Sequence, residues 1–253
     1  MFPKKKKKPA LPEVRRLPGQ SVRERWEQLM EDRLLPIVFC PLLLWSVTFS
    51  FWIQEASGKP PLIRTWLCMS LIATGIAGIL LVRLLPRARA LVCGQRGEMV
   101  VAEQLEELRD LGFRCFHDLV QDGFNVDHVV VGPAGVFVVE TKYRSGRGSI
   151  EFRNGQGIFI AGRPAEGDAL SQARGGAAAV NKLLREDAGL DVFVKSLVVF
   201  VGDWKIKNAW QTTDARVLSV QQLPTYFQRQ DQPELKRSEI ALICSHLRRS
   251  VKA

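Results

Sequence analysis

The sequence is poor in the residues that build disulfide frameworks and zinc sites. It has five cysteines and three histidines in 253 residues. The cysteines are widely separated, with no Cys-x-x-Cys pair and no histidine pair nearby. Neither a disulfide scaffold nor a zinc site is therefore predicted. The composition, 46% hydrophobic and 25% charged, also argues against a disordered or collagen-like chain.

Acidic residues are scarce in the first part of the chain. Residues 1–96 carry 16 Lys and Arg against 6 Asp and Glu, whereas the rest of the chain carries 20 of each. The net charge of +10 therefore lies entirely before Gly97. A basic average is typical of nucleic-acid-binding proteins, but this excess is local and the remainder of the chain is neutral.

Two long segments lack charged residues altogether, at 34–53 and 65–82. About 20 apolar residues suffice for a helix to cross a hydrocarbon core of about 30 Å. We predict a transmembrane hairpin over 34–82, with helices at about 34–53 and 63–82. The alternative is a pair of buried core helices.

The distribution of basic residues predicts the orientation of this hairpin. Lys4–Lys8 and further arginines precede the first run, Arg83, Arg87 and Arg89 follow the second, and only Lys59 and Arg64 lie between. The positive-inside rule then places both termini and the domain after the hairpin in the cytoplasm. Residues 1–33 form a basic cytoplasmic segment. The expected location is a membrane, in particular the bacterial inner membrane.

Two partners follow from the hairpin. The first is the lipid bilayer itself. The second is another copy of the chain, because Ala73, Gly75, Ala77 and Gly78 offer small surfaces for close helix contact.

Residues 94–253 predict a separate α/β or α+β domain with its core at about 94–201. The pattern indicates a helix over 96–111, strands at 114–119, 124–131 and 136–142, and a hairpin from 150–152 and 158–160. A helix over 168–185, strands at 192–201 and 216–220, and a closing helix over 233–249 follow. The turn Gly132–Gly135 predicts that the second and third strands pair as an antiparallel hairpin.

Charged residues interrupt these apolar strands at one place. Strand alternation puts Glu140 and Lys142 on the same face as Val136 and Val138, and the hairpin brings Asp127 beside them. Two carboxylates and an ammonium predict a site for a hard cation such as Mg²⁺, with the lysine acting on water. The alternative is that these residues form structural ion pairs.

Two more residues lie within reach of this site. Glu98 follows the apolar stripe of the first domain helix, although a carboxylate near a helix N-terminus is also favoured by the helix dipole. Gln172 opens the later helix and is either a ligand for water or phosphate or an ordinary surface residue. Arg144, Arg147 and Arg153 follow the third strand and are expected to contact backbone phosphates; the alternative is a solvated loop.

These residues carry a resemblance. They are Gly97-Glu98, His117-Asp118 and the run from Val126-Asp127-His128 through Gly132-Pro-Ala-Gly135 to Glu140-Thr-Lys142. In these residues the sequence resembles the nuclease-related domain (NERD), a branch of the PD-(D/E)XK restriction-endonuclease-like superfamily. The resemblance implies a mixed sheet flanked by helices. It also implies metal ligation by Asp127, Glu140 and the Thr141 carbonyl, and catalytic roles for Lys142, Glu98 and Gln172.

The implied activity is hydrolysis of nucleic-acid phosphodiester bonds with Mg²⁺ or Mn²⁺, with DNA as the expected substrate. Two other functions remain open. The same fold is also compatible with an inert module that binds nucleic acid or protein at the membrane, or with a membrane scaffold whose spans oligomerise.

Overall fold

The structure is a computed structural model that describes residues 16–56, 63–121, 124–153, 157–165, 167–207, 215–230 and 234–250. The predicted basic run Lys4–Lys8 and the centre of the predicted outer loop lie outside these residues. The chain divides into two compact units, one of residues 21–96 and the other of residues 97–250 together with 16–20.

The first unit is helical. Helix α1 (Gln20–Leu29) passes through a π-helical turn (Met30–Leu34) into α2 (Leu35–Ala56), and α3 (Ile63–Glu106) begins in this unit. The prediction of separate helices over 63–82 and 96–111 is wrong, because α3 is continuous and contains Pro86. One missing N–H does not end a helix whose neighbouring arginine, leucine and alanine residues all have high helix propensity.

Helices α2 and α3 lie side by side. Trp45 Nε1 donates a hydrogen bond to Thr74 Oγ1 over 3.0 Å, and the Thr48 and Ser70 hydroxyls are 2.8 Å apart. Among the predicted small contact residues Ala77 is buried. A Cβ built on Gly75 or Gly78 meets no described atom within 4 Å, so these glycines do not form the α2–α3 contact.

The apolar side chains of these helices point outward. Both helices are long and apolar enough to cross a membrane, and only 17% and 6% of their most apolar stretches is buried. Leu43, Ile72 and Val82 are 63%, 63% and 70% exposed. The alternative of two buried core helices is therefore contradicted for the described residues.

The second unit is an α+β fold with a seven-stranded mixed sheet. Its strands are β1 (Arg114–Gln121), β2 (Phe124–Gly132), β3 (Gly135–Arg153), β4 (Gly157–Ile160), β5 (Arg163–Pro164), β6 (Val194–Lys207) and β7 (Ala215–Ser219). Strands β1, β2 and β3 pair antiparallel, as do β3 with β4 and β4 with β5, whereas β3, β6 and β7 pair parallel. The predicted fold class and the predicted pairing of β2 with β3 are confirmed.

Helices cover both faces of this sheet. One face is covered by the end of α3, by the 3₁₀ turn after it (Glu107–Leu111) and by α5 (Leu223–Gln228). These elements bury what we call the α3-side core, which includes Leu105, Phe113, Phe137, Val139, Val199 and Phe227. Helices α4 (Ala169–Ala188) and α6 (Arg237–Ser250) bury the α4-side core, which includes Val129, Val138, Val180, Phe200, Trp204 and Ile243. Alternation along β3 sends Phe137 and Val139 to the first core and Val136 and Val138 to the second, as predicted.

Candidate active site

The turn between β2 and β3 places two carboxylates opposite each other. His128 pairs with Val139 and Val129 with Val138, so the next residues outward are Asp127 and Glu140. Both lie on the face of the α4-side core because each is two residues from a valine of that core. Gly135 makes the connection with a φ of +112°, a conformation that glycine adopts without a Cβ penalty.

Asp127 is held by the backbone of β3. The Thr141 N–H donates a hydrogen bond of 2.7 Å to Asp127 Oδ2. Burial, followed by repulsion from the carboxylates of Glu140 and Glu98, raises the pKa of Asp127 well above its usual range. The Thr141 N–H and the Lys142 ammonium oppose this shift. The site therefore brings carboxyl groups together in a desolvated place, where it is unfavourable for all of them to be ionised at once.

Lys142 links β3 to α4. Its Nζ donates hydrogen bonds to Glu140 Oε1 and to Gln172 Oε1, each over 2.6 Å. Asp168 caps α4 by accepting the Ser171 N–H. A Cβ at Gly176 would come within 3.1 Å of Val138 Cγ1, so this glycine lets α4 approach the sheet one turn after Gln172.

Glu98 reaches the same region from the other face. It is buried, and a Cβ at the preceding Gly97 would lie 3.0 Å from Tyr143 Cβ, so α3 runs close to the end of β3. The alternative of a carboxylate stabilised at a helix N-terminus is contradicted, because α3 begins at Ile63.

Comparison with known proteins finds a family match that covers part of this unit. Residues 93–201 match the sequence model of the nuclease-related domain. This part of the chain is a nuclease-related domain. No curated protein and no solved structure matches the chain. The family indicates a nuclease-related function, and the residues that carried the resemblance lie within the matched range.

Two carboxylates of the nuclease-related domain suit a magnesium ion. Among the described residues, no three His, Cys, Asp or Glu side chains are grouped as a complete metal site. Mg²⁺ keeps several waters and commonly takes one or two protein carboxylates, which Asp127 and Glu140 supply. A cation between them would relieve the repulsion that raises the pKa of Asp127. The donor set therefore fits the predicted ion, with the predicted Thr141 carbonyl as a further oxygen.

The three arginines predicted to contact phosphate differ in their surroundings. Arg147 is exposed, where the pairing of β3 with β6 shifts register. Arg144 donates to the Tyr143 carbonyl over 3.3 Å. Arg153 lies 3.4 Å from a carboxylate oxygen of Glu151 and over the Phe159 ring. Arg147 and Arg153 are thus exposed, whereas Arg144 is half-buried.

A tryptophan that the sequence analysis missed shapes the strand after Lys142. Trp204 Nε1 donates to the Arg144 carbonyl over 3.0 Å, and its ring lies against Gly146 and Gly148. A Cβ at Gly202 would come within 2.5 Å of the Arg144 oxygen, so glycine is required there. The only sequence signal was a Gly-Asp-Trp run immediately after an apolar strand.

A buried ion pair beside Asp127 was also missed. Asp118 lies on β1 between the pairs His117–His128 and Leu119–Val126, hence across from Asp127. Its backbone is left-handed, with a φ of +52°. Its side chain is 2% exposed and accepts a 2.7 Å hydrogen bond from Arg16 Nε. The residues just before α1 are therefore attached to the nuclease-related domain next to the candidate site.

Proposed function

We propose that the protein is a membrane-anchored, metal-dependent nuclease that hydrolyses phosphodiester bonds of DNA in the cytoplasm. The observation that carries this proposal is the convergence of Asp127, Glu140 and Lys142, with Gln172, at the end of the β2–β3 hairpin. The match of residues 93–201 to the nuclease-related domain supports this proposal.

Asp127, Glu140 and the Thr141 carbonyl would hold Mg²⁺ or Mn²⁺. When bound, such an ion polarises a phosphate and lowers the pKa of a coordinated water. The protein's own contribution is to fix the acceptor oxygens, since the Thr141 N–H restrains one oxygen of Asp127. The crowded carboxylates of Glu98 and Glu140 keep this region strongly attractive to a cation.

Lys142 is the group positioned to act on the reacting atoms. An ammonium has three N–H donors, and two are used by Glu140 and Gln172. The third remains to donate to an attacking hydroxide or to a phosphate oxygen as negative charge develops. Gln172 acts as a positioning residue, because it holds Nζ at one side of Glu140.

The DNA backbone would approach along the exposed segment after Lys142. Arg147 carries a cation there, with Arg144 and Arg153 beside it. Contacts of this type position the nucleic acid without reading its sequence. Binding is expected to weaken with increasing salt.

The decisive test is a cleavage assay on the full chain in detergent micelles, with plasmid DNA and single-stranded RNA as substrates and Mg²⁺ or Mn²⁺ added. Lys142→Met should reduce DNA cleavage by roughly 10²-fold or more. The matched control is Lys182→Met, an exposed lysine of α4, which should cleave at the normal rate. Cleavage that Lys142→Met leaves unchanged contradicts the proposal.

The inert binding module remains a second candidate for one reason. The Lys142 charge is already compensated by Glu140 at 2.6 Å, as a purely structural ion pair would be. Calorimetric titration with Mg²⁺ separates the two. The nuclease proposal expects binding that Asp127→Asn and Glu140→Gln each abolish, whereas no Mg²⁺ binding and no cleavage would favour the module.

The membrane anchor rests on the exposed apolar surface of α2 and α3 and on the flanking basic residues. We expect the full chain to stay with membranes during alkaline carbonate extraction. A protease added outside intact cells should leave the nuclease-related domain uncut, in line with a cytoplasmic location. Release by carbonate, or cutting of the domain from outside, contradicts the anchor or its orientation.

A further inference from the structure

A cavity of about 610 Å³ opens beside β7 and α5, and most of its lining lies beyond the end of the family match. Its wall includes Leu218 and Tyr226, which both pack against the α3-side core. Lys142 belongs to the opposite face of the sheet. All lining residues except Lys195 lie beyond residue 201. The volume is within the range of about 300–1,000 Å³ that small-molecule sites occupy.

The described lining of the cavity is rich in basic side chains. Arg216 on β7 and Arg229 immediately after α5 line it, and neither guanidinium group has an ion pair or hydrogen bond to a described residue. Lys195 also lines it, but Glu234 neutralises this lysine at 2.6 Å. The described lining contains no carboxylate. An anion entering the cavity would therefore meet two guanidinium groups, the side chains best suited to bidentate recognition of phosphate.

The remaining polar lining is rich in hydrogen-bond donors. Gln221, Gln222, Thr225 and Gln230 also line the cavity, and each of these side chains carries a group that can donate a hydrogen bond. Gln222 Oε1 already accepts the Ser219 N–H over 3.0 Å, which leaves its NH₂ group to donate. The pKa of Tyr226 is raised mainly by burial, so its hydroxyl is a neutral donor at physiological pH.

The size and composition of the cavity exceed what a bare phosphate needs. It combines two guanidiniums with an aromatic wall and several amides, a set that can bind a phosphate and also the polar edge and flat face of a heterocyclic ring. We propose that this cavity binds a small phosphorylated ligand of the nucleoside phosphate class, with Arg216 and Arg229 holding the phosphate. Because Lys142 lies on the other face, occupancy would not displace the candidate active site.

The test uses the full chain in detergent micelles, with divalent metals chelated. Lys142→Met is the background, so that nuclease chemistry does not interfere. Isothermal titration calorimetry with AMP, ATP and inorganic phosphate is expected to show binding of the two nucleotides that is at least 10-fold tighter than that of phosphate. Arg216→Gln and Arg229→Gln should each weaken nucleotide binding by at least 10-fold. The matched control Arg185→Gln, an exposed arginine at the end of α4, should bind normally.

Circular dichroism verifies that each variant is folded. Arg216→Lys provides a second probe, because it keeps the positive charge but removes the planar guanidinium group. Its nucleotide binding should lie between those of the unchanged protein and Arg216→Gln. No nucleotide binding, or binding that the arginine substitutions leave unchanged, overturns the proposal. Equal affinity for inorganic phosphate, or tighter binding of a single-stranded oligonucleotide through the same arginines, overturns the nucleotide assignment. None of these outcomes depends on cleavage activity.

Discussion

The two units of this protein distribute polar and apolar side chains in opposite ways. In the helical pair, leucines and isoleucines such as Leu43 and Ile72 face outward, whereas the Thr48 and Ser70 hydroxyls meet between the helices. In the nuclease-related domain, phenylalanines and valines fill two cores, and buried charged groups such as Glu98 and Asp118 are the exception. This inversion is what the proposed membrane anchor predicts, with lipid around the helical pair and water around the other unit. Substitutions of matched chemistry in the two units should expose this difference.

The largest contrast is expected for apolar truncations. Phe137 is fully buried and its ring contacts those of Phe113 and Phe227. Phe137→Ala should therefore lower the free energy of unfolding by about 3–5 kcal/mol. Ile72→Ala removes an exposed side chain of α3 and should change this free energy by less than about 0.5 kcal/mol. Denaturation of the full chain in detergent, followed by circular dichroism, measures both.

An equal loss in the two variants would contradict the comparison. It would mean that the outer surface of α3 is packed against a protein partner, such as a second copy of the chain, rather than against lipid or detergent.

Ion pairs should show the next largest difference. Arg16→Gln leaves the buried carboxylate of Asp118 without its guanidinium and should cost about 1–3 kcal/mol in the free energy of unfolding. Arg23→Gln breaks an exposed pair with Glu27 within α1, where the expected cost is about 0.5 kcal/mol or less. Chemical denaturation of both variants tests this, and a double substitution of Arg16 and Asp118 gives their coupling energy.

A small coupling energy would show that Asp118 is stabilised mainly by its other surroundings. In that case the attachment of the residues before α1 to the nuclease-related domain would be weaker than the 2.7 Å contact suggests.

The local pattern of polar and apolar residues predicted much of the candidate site. Alternation along β3 assigned Glu140 and Lys142 to one face, and the Gly132–Gly135 turn placed Asp127 beside them. Both inferences depend on neighbours within about 15 residues. The proximity of Asp127 and Glu140 is therefore readable from the sequence, although their roles remain predictions.

The contacts that the sequence did not reveal join distant residues. Arg16 and Asp118 are 102 residues apart and Trp204 and Arg144 are 60 apart, and no periodicity connects them. The continuity of α3 was missed for another reason: the charge-free run ends at Val82, and the pattern that predicted the domain helix begins only at about Arg96. The cavity beside Arg216 also depends on how β7 and α5 assemble, which neither segment specifies alone.

The smallest expected effect concerns polar groups between α2 and α3. Thr48→Val keeps the side-chain volume but removes the hydroxyl that meets Ser70 at 2.8 Å, and hydrogen bonds between membrane helices contribute about 1 kcal/mol. Ser50→Ala is the control, because its hydroxyl donates only to the Ser46 carbonyl of its own helix. Unfolding by titration with SDS should show a loss for Thr48→Val alone. Equal stability of the two variants would mean that packing of α2 and α3, rather than their inward polar contacts, holds the pair together.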